Sequence, residues 1–121
     1  MPPRRSEEPS PLLTHLSADF IGVPAEQLRD TTLLGGLLIA AAGAVGLSGA
    51  SRPEVREAPG GGMSATMVAD GAHIAIHSLP DQQLLLFDGL GPPSHDFRKA
   101  GEVFSRRLSA RDVRTALRQR K

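Results

Sequence analysis

The sequence predicts an α/β domain whose strands pair antiparallel. Three observations predict it. Two short apolar runs flank Asp70-Gly71, and such a pair signals a tight hairpin, because glycine takes a positive φ without steric cost. A third strand-like run, Gln-Leu-Leu-Leu-Phe-Asp, follows at 83–88. Segments with helical character lie on either side of these strands, at 32–44 and 96–108.

The hairpin is the best-defined element. In its second run Ile74 and Ile76 fall on one face, and His73, Ala75 and His77 on the other. A half-buried strand therefore carries two imidazoles on its open side.

The rest follows in chain order. Residues 1–11 are proline-rich and charged, and read as a disordered leader. Arg4-Arg5 is not followed by the apolar segment of an export signal, and no secretory signal is visible. Residues 12–23 fit a strand or a short helix by period alone. Pro24 opens a helical turn over 24–29. Residues 31–50 carry no charge, which meets the length of a membrane span. Gly35, Gly36, Gly43, Gly46 and Gly49 weaken that reading, and the flanking positive charge is thin. A core helix at 32–44, laid across the sheet and ended by Gly46 or Gly49, is favoured; a single membrane span is the alternative.

Pro53, Pro59 and three consecutive glycines predict a short strand at 54–57 and then a flexible loop. No Lys-Ser/Thr and no helix follow the glycines, so this is not a phosphate-binding loop. Gly89, Gly91, Pro92 and Pro93 predict a turn after the third strand. Phe97, Ala100, Val103, Phe104 and Leu108 recur at helical spacing. Ser109 with Asp112 resembles a capping pair, and Val113, Ala116 and Leu117 make an apolar stripe. A basic terminal helix or tail is therefore predicted over 109–121.

Composition narrows the functions. At 121 residues and 40% hydrophobic content the chain can build one small core, and dimerisation would help it. The absence of cysteine excludes disulfides, thiolate metal sites and thiol catalysis, and fits a cytoplasmic chain. Aromatic residues, at 3%, are too few for recognition of bases by stacking. Net charge of +1 implies no partner by itself. Residues 106–121, however, hold six arginines and Lys121 against Asp112 alone. Such a run can attract nucleic acid or anionic lipid. With no aromatic side chain among the arginines, a solvated helix end is favoured.

No metal site is predicted. His73 and His77 on one strand lie about 13 Å apart at a rise of ~3.3 Å per residue, and nothing in the spacing brings in His15 or His95. Ser64 or Ser78 with His77 lacks a nucleophile-elbow motif, so a structural hairpin with hydrogen-bonded histidines outweighs serine hydrolysis.

The same stretch carries a resemblance. His73-Ile-Ala-Ile-His77-Ser-Leu-Pro80-Asp81 resembles the His-Leu-Ser-Ile-His-Thr-Trp-Pro-Glu segment of bacterial S-adenosylmethionine decarboxylases, the pyruvoyl enzymes of spermidine synthesis. Gly62-Met-Ser64 resembles their Gly-Val-Ser, without a gap between the segments. His15-Leu-Ser-Ala-Asp-Phe-Ile-Gly22 is similar to their His-Leu-Leu-Ala-Asp-Leu-Tyr-Gly, and Lys99-Ala100 with Glu102 to the start of their second helix. The resemblance covers 12–108. It makes 12–23 the first strand, and implies a two-layer α/β sandwich, an antiparallel sheet with helices on one face, that commonly dimerises.

In that family a serine before the first histidine attacks the carbonyl of the preceding glutamate. The ester breaks by β-elimination, and the new chain begins with a pyruvoyl group that acts as an electron sink. Here the serine position is Ala72 and the glutamate position is Gly71. Ser64 and His77 match residues that assist self-cleavage. The family's catalytic cysteine falls near Leu90 or Gly91. The tryptophan that stacks on adenine is Leu79, its aromatic counterpart before Gly60 is Ala58, and the ribose-binding glutamate is Asp81.

These positions imply a divergent member that does not cleave itself, forms no pyruvoyl cofactor, and binds S-adenosylmethionine weakly or not at all. It would be silent alone and act as a binding or regulatory partner, as a homodimer or paired with an active homologue. An active decarboxylase with a cofactor made by another route is the enzymatic alternative.

Overall fold

The computed structural model describes residues 12–120 apart from Ser48 and Asp70; the leader at 1–11 lies outside the described residues. The chain forms β1 (Leu13–Ile21), α1 (Ala25–Leu28), α2 (Thr31–Ala44), β2 (Glu54–Glu57), β3 (Met63–Ala69), β4 (Ala72–Leu79), β5 (Leu84–Gly91), α3 (Arg98–Arg107) and β6 (Asp112–Arg120). Short 3-10 turns cover Pro59–Gly61 and Pro80–Gln82. The six strands make one sheet in the order β2-β3-β4-β5-β1-β6, antiparallel throughout.

Alternation along each strand divides the sheet into two faces. Leu16, Ala18 and Phe20 of β1, Met63, Ala65 and Met67 of β3, Ile74 and Ile76 of β4, and Leu85 and Phe87 of β5 are buried under the helices. The intervening residues form a face that no helix among the described residues covers. The Phe104 ring of α3 sits 6.0 Å from Phe20 and 5.6 Å from Phe87. Each such ring contributes about 1.5–3 kcal/mol on burial.

Helix α2 is the predicted core helix. The Asp30 carboxylate accepts the Leu33 N–H at 3.0 Å and caps its start. Leu34, Leu37, Leu38, Ala41 and Ala42 are buried. The helix ends where Gly46 turns to φ +78° and the Leu47 N–H reaches back to the Ala42 carbonyl. Its 14 residues fall short of the ~20 that a bilayer needs, and no helix among the described residues is long and apolar enough to cross a membrane.

Two local expectations give way. The turn expected at Gly89 and Gly91 is the end of β5, which runs to Gly91. These glycines make room for Phe97: an added Cβ at either would lie 2.6 Å and 3.0 Å, respectively, from its ring. The terminal helix expected over 109–121 is instead strand β6, paired along β1. Val113, Thr115 and Leu117 also alternate with period two, and the open edge of β1 selects that period. Asp112 does not cap a helix; its carboxylate accepts the Val113 N–H and pairs with Arg114.

Candidate functional site

The β3–β4 hairpin turns at Gly71, whose φ of +74° strongly favours glycine; Asp70 beside it lies outside the described residues. Ala72 follows as the first residue of β4, buried and on the helix-covered face. Its methyl packs against the main chain of Gly91.

On the uncovered face, hairpin register sets Ser64 directly opposite His77. Ser64 Oγ and His77 Nδ1 share a hydrogen bond of 2.7 Å. His77 also borders a shallow groove with Ser17, Asp19, Leu86 and Asp88. Within the same face His15 Nε2 meets Asp88 Oδ1 at 2.8 Å. Paired strands thus gather a polar patch of two histidines, two carboxylates and two serines. The sequence reading missed Asp19, Asp88 and the role of His15. The signal was present, since His15, Ser17 and Asp19 recur at every second residue of β1.

The other histidines are separate. His95 Nδ1 donates to the Val45 carbonyl at 2.7 Å, which ties the α3 approach to the end of α2. His73 lies opposite Val68 and Leu90. Among the described residues no three side chains of metal-ligand type stand close enough together to hold one ion.

A second groove lies at the other end of β4, lined by Pro59, Gly60, Leu79, Pro80, Asp81 and Gln82. The Asp81 carboxylate pairs with Arg29 Nη2 at 3.2 Å, and Arg29 Nε donates to the Gly60 carbonyl at 3.2 Å. Gly60 takes φ +79°, and an added Cβ would lie 2.9 Å from Asp81 Oδ2. The positive φ is what favours glycine there, because the exposed Asp81 carboxylate could swing aside. No aromatic ring lines this groove.

The family model described as S-adenosylmethionine decarboxylase matches residues 14–121. The chain belongs to the S-adenosylmethionine decarboxylase family. Its fold is similar to the crystal structure of the adenosylmethionine decarboxylase from Aquifex aeolicus VF5, with a TM-score of 0.80 at 22% identity, over 93% of this chain and 92% of that one. No curated protein sequence matches the chain.

Ser64 and His77, the positions that the resemblance matches to self-processing residues, meet in space. The two cleavage positions do not join them. His77 lies five residue steps along β4 from Ala72, about 16 Å at ~3.3 Å per step, and the two side chains point to opposite faces. The position of the family's cysteine falls beside Ala72, with Gly91 rather than Leu90 sharing its face. Leu79 and Asp81, which the resemblance matches to substrate-binding residues, share the groove beside Gly60.

Proposed function

We propose that this protein is a non-processing member of the S-adenosylmethionine decarboxylase family, silent alone and acting as the partner of an active homologue in polyamine synthesis. The observation that carries this reading is Ala72. Its side chain is a methyl, buried against Gly91, and has no oxygen with which to form the ester that precedes a pyruvoyl group. The residues at the tip do not fit that cofactor.

The Ser64–His77 pair supports the partner role. It lies about 16 Å along the strand from its own hairpin tip, so it can serve a cleavage site only across an interface. The uncovered face supplies one: Ala75, Leu84, Leu86 and Leu90 are part-buried there, with no helix among the described residues above them. A second copy, or a homologue with an intact tip, would cover it.

Intact mass spectrometry of freshly expressed protein tests the first half. A single full-length species is expected; two fragments dividing near residue 71 would show that the chain processes itself. Co-expression with an active homologue tests the second half. A co-purifying pair with an altered decarboxylation rate is expected, and separate elution with an unchanged rate would refute it.

A further inference from the structure

We propose that the outer edge of β6 docks an acidic, extended segment of another protein as a seventh strand of the sheet. Among the described residues β6 is an edge strand, paired on one side only, and all nine of its residues are exposed. Alternate N–H and C=O groups along its outer side have no strand partner among the described residues, which makes a template for strand addition.

The side chains say what would pair there. Register with β1 sets Arg114, Arg118 and Arg120 on the uncovered face, opposite Asp19, His15 and Leu13. Val113, Thr115 and Leu117 fall on the helix side. Val113 and Thr115 border a groove with Leu16, Phe20, Gly101 and Ser105. Val113 and Leu117 remain 38% and 51% exposed. A complementary strand therefore alternates carboxylates, facing the arginines, with small apolar residues that lengthen the groove. Among the described residues Arg114 pairs with Asp112, and no carboxylate pairs with Arg118 or Arg120.

Other occupants fit less well. Two copies of β6 paired about Ala116 would set Arg114 against Arg118, and paired about Leu117 Arg114 against Arg120; paired about Thr115 they would set Asp112 against Arg118 but leave Arg114 opposite Ala116, so fewer of the arginines meet a carboxylate than in an acidic strand. Like charges directly opposite are destabilising. The other edge, β2, has only four residues and carries Arg56 among its two glutamates. A single-stranded nucleic acid would need rings to stack on. All four phenylalanines are buried, and the chain has no tyrosine or tryptophan.

The test is fluorescence anisotropy of the full chain with a labelled nine-residue peptide that alternates glutamate with valine and threonine. Saturable binding that weakens with salt is expected, together with slowed hydrogen exchange of β6 amides. The R118E/R120E variant should bind about tenfold more weakly, having lost two attractions and gained two repulsions. A peptide of the same charge, N-methylated along its pairing edge, should not bind. That arm does not depend on how the variant folds. No binding, equal binding of the N-methylated peptide, or tighter binding of a nine-nucleotide RNA would each overturn the proposal.

Discussion

Ala72 and Gly91 are matched in size across the β4–β5 pair: a Cβ added to Gly91 would lie 2.7 Å from the Ala72 Cβ and 3.0 Å from the Phe97 ring. Gly91→Ala should therefore overpack the site and cost about 1–3 kcal/mol. Ala72→Gly combined with Gly91→Ala should recover part of that loss, because the incoming methyl takes the vacated space. Urea denaturation of both single variants and the double variant reads the coupling. Additive losses would mean that the two residues do not share this space.

Two serines of the hairpin have opposite expectations. Ser78 is buried; its hydroxyl donates to the Leu28 carbonyl at 2.9 Å and accepts the Met63 N–H at 2.9 Å. Ser78→Ala leaves both main-chain groups short of a partner, and a loss of about 2–3 kcal/mol is expected. Ser64 bonds His77 on an exposed strand position, and water can replace it. Ser64→Ala should cost below about 1 kcal/mol. Comparable melting temperatures for the two variants would contradict this division between a structural and a site serine.

Much of this pattern was legible in the sequence because it is local. The turn at Gly71 sets the β3–β4 register, and that register alone brings Ser64 to His77. The alternation of His73 to His77 named the buried face. What escaped depends on distant pairing. His15 and Asp88 are 73 residues apart, and only the β1–β5 register joins them. Val113, Ala116 and Leu117 fit a helical stripe, while Val113, Thr115 and Leu117 fit a strand. The choice belongs to the edge of β1, which the local sequence does not contain.

The groove at Leu79 and Asp81 bears on ligand binding. Its walls hold no ring, and Asp81 is engaged by Arg29. Stacking contacts of bases on aromatic side chains are worth about 1–3 kcal/mol each. With both absent, titration calorimetry with S-adenosylmethionine should detect no micromolar binding. Leu79→Trp should strengthen whatever binding remains. Micromolar affinity in the unmodified chain would mean that adenine is held elsewhere or by other contacts.

Asp96 gives the fold a pH dependence of known sign. Its carboxylate accepts from both the main-chain N–H of Arg98 at 3.1 Å and Arg98 Nε at 3.2 Å. The side-chain hydrogen bond from Arg98 holds this carboxyl below its usual value. The folded state therefore favours the ionised form more than the unfolded chain does. The resulting stability is fully present above the ordinary carboxylate value of about 4 and is lost as pH falls through the lowered value. Because Asp96 is 45% exposed, the contribution is below about 1 kcal/mol. Asp96→Asn should lower the urea midpoint slightly at neutral pH. The gap from the parent should close in strongly acidic solution, where Asp96 is protonated and the charge difference vanishes. A gap of equal size at both pH values would mean that the Arg98 contact acts through shape rather than charge.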